Sequence, residues 1–155
     1  MMTRERRRGG FTLVEVMVAV LILGVSLAGV MTAYSAAYGL SETSLRRTQA
    51  MDAAIAIAEE IRQMAPSTIP ARYANDDDGE PHFVLDALAE SAGTVAVDTS
   101  SADYLEITIS VCWRQQGGRV FGEDANLDGV LSGPEDGNLN GQIDSPAMLS
   151  FRVIR

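Results

Sequence analysis

Hydrophobic positions follow two different patterns in the first 65 residues. No charged residue occurs between Val16 and Ser41, and such a run can cross a hydrocarbon core of about 30 Å as a helix rising about 1.5 Å per residue. After Ser41, apolar residues recur near helical spacing among charged ones: Leu45, Met51, Ile55, Ala58, Ile61 and Met64. Together the two patterns predict one helix over residues 12–64 that ends before Pro66.

A two-residue alternation marks the clearest strand, over residues 104–113. Its apolar positions are Leu105, Ile107, Ile109, Val111 and Trp113, and Cys112 falls on the more polar face. A turn at 115–118, a returning strand at 119–121 and a final strand at 148–154 follow, and weaker patterns predict strands at 83–86 and 94–97. The fold class is therefore α+β: one long N-terminal helix with its outer half packed on a small antiparallel sheet.

The segment before the apolar run contains Arg4, Arg6, Arg7 and Arg8, then Gly9-Gly10. A secretory signal peptide has a shorter apolar core, of roughly 7–15 residues, with its cleavage site after that core. A plain membrane anchor accounts for the length and the arginines but not for Glu15, a carboxylate that is costly in lipid and is therefore a candidate functional residue.

The string Gly10-Phe11-Thr12-Leu13-Val14-Glu15 resembles the signature of type IV prepilins and of the pseudopilins of type II secretion. The resemblance implies a pilin-like fold and cleavage by a prepilin peptidase between Gly10 and Phe11, followed by N-methylation of Phe11. It also implies that Glu15 pairs with the terminal amine of a neighbouring subunit during assembly, through helices of other pilins or pseudopilins. The expected divisions are a leader at 1–10, a transmembrane and assembly helix at 11–40, and an extra-membrane domain at 41–155.

The four arginines predict a cytoplasmic N-terminus, with the C-terminal domain on the other side of the membrane. The resemblance implies that this membrane is the bacterial inner membrane, that the C-terminal domain is periplasmic, and that the chain later reaches a filament at the cell surface. Within the family the chain looks most like PilV-type minor pilins, which implies assembly into a type IV pilus or at its tip. A minor pseudopilin of a type II secretion system is the alternative. A membrane-anchored module for calcium-dependent binding or adhesion is a third hypothesis, although a tether needs neither Phe11 nor Glu15.

The net charge and the residue types present argue against other functional classes. The formal net charge is −9, and loss of residues 1–10 leaves eight arginines against 20 acidic residues, or −12. A surface of this sign is unsuited to nucleic acid, so none is expected to bind to this subunit alone. No Ser/His/Asp set or phosphate-binding glycine loop is present, and we expect no enzyme activity. Cys112, the only cysteine, cannot form an intrachain disulfide.

The loop at 122–145 is too long to be a plain connection between two strands. Its first part matches a twelve-residue calcium loop, which predicts a structural calcium ion. The predicted ligands are Asp124, Asn126, Asp128, the Val130 carbonyl, Ser132 and Glu135, with Gly129 at the sharp turn.

A weaker register follows, with Asp136, Asn138, Asn140 and Asp144 but Ala147 at the last position. The competing interpretation is that these Asp-Gly and Asn-Gly pairs only form turns. His82 and the acidic run at 75–80 are interpreted as loop residues.

Overall fold

A computed structural model describes residues 10–73, 80–88, 90–115 and 117–155. Its longest element is the helix α1, Leu13–Arg62, of 50 residues. Thr12 caps the start of α1, because its hydroxyl accepts a hydrogen bond of 3.3 Å from the backbone N–H of Glu15. After Arg62 the N–H groups of Gln63 and Met64 bond to the carbonyls of Glu60 and Ile61, and the helix ends before Pro66. The single continuous helix is confirmed.

The chain divides into two compact units, Met1–Glu42 and Thr43–Arg155. In the first, residues 13–42 form the N-terminal part of α1, and its large apolar side chains are exposed, as at Leu23 (68%) and Val25 (67%). Among the described residues, α1 is the one helix long and apolar enough to cross a membrane.

The second unit contains a four-stranded antiparallel sheet. Its strands are β1 (Ser91–Asp98), β2 (Tyr104–Arg114), β3 (Val120–Phe121) and β4 (Ala147–Ile154). β2 lies in the centre: Ile109 faces Val95 of β1 on one side and Leu149 of β4 on the other. β3 pairs with the end of β2, where Trp113 faces Phe121, on the same side of β2 as β4. The α+β prediction is confirmed.

The core of this unit lies between the end of α1 and the sheet. Ala50, Ala54, Ala58 and Ile61 are the buried residues of the helix. The predicted apolar face of β2 is fully buried, with Leu105, Ile107, Ile109, Val111 and Trp113 all at 0% exposure. The predicted face of β2 is thus confirmed, whereas the predicted helix stripe is only partly right, because Leu45 and Ile55 are exposed (60% and 46%) and Ala50 and Ala54 lie in the hydrophobic cluster instead.

One local prediction was wrong, and one short helix was not predicted. Residues 83–86 form no strand, only a single bridge between Phe83 and Gly93. The ladder stops there because the next free N–H, that of Leu85, donates to the Ser91 hydroxyl at 2.9 Å. The connection after Pro66 also contains a short helix, α2 (Ile69–Arg72), with Pro70 in its first turn and Ile69 fully buried.

Cys112 is more buried than a polar strand face suggests. Thr108, Ser110 and Cys112 share that face and are 8%, 3% and 1% exposed. Gly122, at the start of the acidic loop, lies directly over the thiol, where an added Cβ would be 2.2 Å from Sγ. The sheet is therefore covered on both faces around Cys112, by the helix on one side and the loop on the other.

Candidate functional site

The prepilin-like motif lies at the start of α1. Gly10 and Phe11 precede the helix and are exposed, Phe11 to 85%. Thr12 is the N-cap and Glu15 lies in the first turn of the helix, where a carboxylate is favoured by the unpaired N–H groups. The Thr12-x-x-Glu15 pattern thus starts a helix in addition to carrying the family signature. Gly9 and the four arginines of the leader lie outside the described residues.

The first half of the acidic loop is organised by the Asp124 carboxylate. One oxygen accepts from the N–H groups of Leu127 (2.7 Å) and Asp128 (3.2 Å), and the other accepts from Gly129 (2.9 Å). Asp124 is fully buried. Its N–H bonds hold residues 124–129 in one tight turn, in which Leu127 and Gly129 have positive φ of 63° and 78°.

The other predicted ligands continue this turn. The Asn126 side chain accepts from the Asp128 N–H at 3.1 Å, and the Asp128 carboxylate accepts from the Val130 N–H at 2.9 Å. Glu135 closes the loop, since one oxygen accepts from the Ala125 N–H (3.0 Å) and the other from the N–H (3.2 Å) and hydroxyl of Ser132. The structure therefore brings the six predicted residues into one closed loop.

The weaker register has the same geometry twelve residues later. Asp136 accepts from the N–H groups of Asn140 (3.1 Å) and Gly141 (3.0 Å), as Asp124 does from Asp128 and Gly129. Leu139 and Gly141 repeat the positive φ values, at 59° and 72°. The Asn138 and Asn140 amides donate to the Asp144 carboxylate at 2.6 and 3.1 Å. Residues 136–144 are thus a second copy of the first turn.

Glu123 closes this second loop, a role that the sequence analysis missed. Its carboxylate accepts from the Asp144 N–H at 3.3 Å, as Glu135 does from Ser132. Its other oxygen lies beside Gly137, the counterpart of Ala125. The sequence does contain a signal for this role, a tandem repeat that the sequence analysis overlooked. Glu123-Asp124 and Glu135-Asp136 open two segments of twelve residues with the same Asn-Leu-(Asp/Asn)-Gly centre. Glu135 closes the first loop, and Glu123 closes the second.

Burial and hydrogen bonding shift two carboxyl groups in opposite directions. Desolvation raises the pKa of Asp124, and the nearby charge of Asp128 acts in the same direction against the three backbone N–H bonds. The Ser132 hydroxyl holds the pKa of Glu135 below its usual value. Burial raises the pKa of the Cys112 thiol to about 11. The loop therefore contains one carboxylate that is costly to keep charged.

The described residues contain no group of three or more His, Cys, Asp or Glu side chains placed to hold a metal. The ligand set predicted for the first loop includes Asn, Ser and a carbonyl in addition to carboxylates. His82, interpreted from sequence as a loop residue, has a structural contact: its Nδ1 accepts from the Val95 N–H at 3.2 Å. Of the acidic run at 75–80, residues 75–79 lie outside the described part.

Comparison with known families found one match. The profile described as the prokaryotic N-terminal methylation motif matches residues 6–31. No curated protein and no solved structure matches the chain. The motif supports the type IV pilin and pseudopilin family, and such a motif implies processing by a prepilin peptidase and assembly with other pilins. An apolar helix directly after it fits a membrane-anchored protein.

Proposed function

We propose that this chain is a minor pilin of the PilV type, assembled into or at the tip of a type IV pilus. The observation that carries the proposal is the methylation motif at residues 6–31, which continues without interruption into α1. A minor pseudopilin of a type II secretion system is the second candidate, since the same motif serves both machines. The C-terminal sheet unit would then be displayed outside the inner membrane.

The proposed role of the motif follows from charge in a medium of low dielectric. Cleavage after Gly10 makes the Phe11 nitrogen a cationic amine, four residues from Glu15. Burying either charge alone among apolar helices costs several kcal/mol, so each needs a partner. Pairing Glu15 with the terminal amine of the next subunit satisfies both and sets the axial position of one helix against another. Glu15 is therefore an assembly residue in this proposal.

Processing is tested by intact mass and N-terminal sequencing of the full chain, expressed with and without a prepilin peptidase. The expected product begins at Phe11 and carries one added methyl group. Gly10→Val should block cleavage, because a side chain next to the scissile bond hinders an extended backbone in the peptidase. Gly24→Val is the matched control and should be processed normally. An unprocessed chain beginning at Met1 or Met2 contradicts the proposal.

A separate experiment, in a host that has both a type IV pilus and a type II secretion system, tests which of the two the chain belongs to. Deletion of the gene should reduce surface pili and leave protein secretion intact, and the processed chain should be found in sheared pilus fractions. Loss of secretion with normal piliation would assign the chain to the type II system instead. Normal piliation and normal secretion would contradict both candidates.

We also propose that the loop at 122–145 binds calcium as a structural ion. The supporting observation is Asp124, a fully buried carboxylate whose pKa is raised by desolvation and by the charge of Asp128. A bound divalent cation would reverse that effect, since opposite charge favours the ionised form. Oxygen donors of carboxylate, amide, hydroxyl and carbonyl type are those that calcium prefers. The donors proposed are Asp124, Asn126, Asp128, Val130, Ser132 and Glu135.

The second loop is proposed as a weaker calcium site, with Asp136, Asn138, Asn140 and Asp144 as donors and Glu123 as the closing carboxylate. Thermal unfolding of the full chain in detergent, titrated with calcium, tests both loops. If the folded state binds the ion, stability increases with free ion concentration. Asp124→Asn should remove most of the increase and Glu123→Gln a smaller part, whereas Asp103→Asn, outside the loop, should remove none. An unchanged melting temperature in calcium and in EDTA would show that the loop consists only of turns.

A further inference from the structure

The second half of the acidic loop contains the one Asn-Gly pair in the sequence, Asn140-Gly141. Both residues are exposed, Gly141 has φ of 72°, and an added Cβ on Gly141 would meet no atom within 4 Å. An asparagine side chain loses its amide group when the backbone nitrogen of the next residue attacks it, and glycine hinders this attack least because it has no Cβ. The pair is therefore a candidate site of covalent modification.

Three hydrogen bonds hold the atoms that would react in this pair. The N–H of Gly141, whose nitrogen would attack, donates to Asp136 Oδ2 at 3.0 Å. The side-chain carbonyl of Asn140, whose carbon would be attacked, accepts from the Gln142 N–H at 2.8 Å. The side-chain nitrogen of Asn140, which would leave, donates to Asp144 Oδ2 at 3.1 Å. A carboxylate thus lies beside the nucleophile, an N–H donor beside the oxygen that gains charge, and a second carboxylate beside the leaving group.

The first loop has the same arrangement around an aspartate. There the Gly129 N–H donates to Asp124 at 2.9 Å, and the Asp128 side chain accepts from the Val130 N–H at 2.9 Å. Asp128 occupies the position that Asn140 has in the second loop, twelve residues later. Loss of the amide group at Asn140 would therefore give the second loop the carboxylate that the first loop already has at this position.

We propose that Asn140 is a site of intramolecular deamidation, which the folded loop promotes. The Gly141 nitrogen forms a bond to Cγ of Asn140, and its proton passes to Asp136. The bond between Cγ and Nδ2 then breaks, and the amine leaves with that proton as ammonia. Water opens the resulting cyclic succinimide at one of its two carbonyls, which gives aspartate or isoaspartate. The reaction consumes only water, and the inference does not depend on the pilus or calcium proposals.

The test incubates the full chain in detergent micelles with EDTA at neutral pH for several days. Mass spectrometry of proteolytic peptides measures the conversion of the Asn140 side-chain amide to a carboxyl group, and released ammonia is a second readout. The same chain unfolded in urea gives the reactivity of the sequence without the folded loop. Asn126 and Asn138, each followed by leucine, are internal controls.

Three variants separate the role of the loop from that of the Asn-Gly pair. Asp136→Asn removes the carboxylate beside the attacking nitrogen but keeps an oxygen that can accept its hydrogen bond, and it should slow deamidation by about tenfold or more. Asp103→Asn removes an exposed carboxylate outside the loop and should leave the rate unchanged. Asp128→Asn places an Asn-Gly pair in the first loop beside Asp124, and the introduced amide should be lost at a rate similar to that at Asn140.

We expect Asn140 to be converted faster in the folded chain than in urea, by about tenfold or more, because the loop holds the reacting groups in place. Asn126 and Asn138 should stay unmodified over the same period. Equal or slower conversion in the folded chain would overturn the proposal, since the loop would then have no effect or would protect the pair. An unchanged rate in Asp136→Asn, or persistence of the amide introduced by Asp128→Asn, would overturn it as well.

Discussion

The contact between Gly122 and Cys112 controls how closely the acidic loop approaches β2. Gly122 has φ of 111°, and an added Cβ would meet Sγ at 2.2 Å and the Asp144 carbonyl at 3.3 Å. Gly122→Ala should therefore reduce the free energy of unfolding by roughly 2–4 kcal/mol, through backbone strain and overpacking. Gly133→Ala, which meets nothing within 4 Å and has no positive φ, should have little effect. Urea unfolding of both variants in detergent measures the difference, and equal stability would contradict the contact.

The buried thiol gives a pH dependence of stability with a defined sign. The pKa of Cys112 is raised by burial to about 11, from an ordinary value of 9.0. The folded state therefore favours the neutral thiol, and its contribution is fully present below pH 9 and is lost as pH rises through 11. Relative to Cys112→Ala, stability should fall by roughly 2–3 kcal/mol across that interval. A parallel pH profile for the two proteins would contradict this result.

Single residues were predicted best where a motif fixes their spacing. Asp124, Asn126 and Glu135 could be placed in one loop because a calcium loop has defined positions. Glu123 could not, because its contact with Asp144 spans 21 residues and depends on how two loops fold beside each other. The burial of Cys112 was missed for the same reason, since alternation along β2 does not show what covers the second face.

Among the elements, the outer part of α1 depends on small residues. Ala50, Ala54 and Ala58 recur every four residues and are 0%, 0% and 1% exposed, so the helix backbone lies close to the sheet. Ala54→Leu should reduce the free energy of unfolding by about 1–3 kcal/mol, because the extra methylenes have no space in this packed core. Ala56→Leu, on the exposed face, is the matched control and should be within about 0.5 kcal/mol of the wild type. Denaturant unfolding followed by circular dichroism compares the two, and similar losses would contradict close packing.

Long, regular patterns predicted α1 and β2 to within about two residues. The helix has no breaker before Pro66, and β2 alternates over ten residues, so local pattern and tertiary packing agree. The strand predicted at residues 83–86 was wrong, and α2 was not predicted, because both segments are short. At such lengths one side-chain contact, such as that of Ser91 with the Leu85 N–H, decides the structure more than periodicity does.

At the scale of the whole molecule, the two compact units are expected to respond to different substitutions. Glu15 lies in the first unit, far along the chain from the core of the second. Glu15→Ala should therefore leave unfolding of the sheet unit within about 0.5 kcal/mol of the wild type, while it abolishes incorporation into filaments. Glu59→Ala, an exposed residue paired with Arg62, is the control and should assemble. Normal assembly of Glu15→Ala would contradict the proposed pairing with a neighbouring amine.

The tandem loop has a consequence for how this region can change in length. Glu123 stands before Asp124 as Glu135 stands before Asp136, and each glutamate closes one loop. Excision of residues 124–135 would join Glu123 directly to Asp136 and would remove the first loop, beside which Glu123 reaches the Asp144 N–H. Duplication of the same twelve residues would add one glutamate with each new loop. Insertions in steps of twelve therefore keep one closing glutamate for each loop, whereas an insertion of any other size separates a loop from its closing residue.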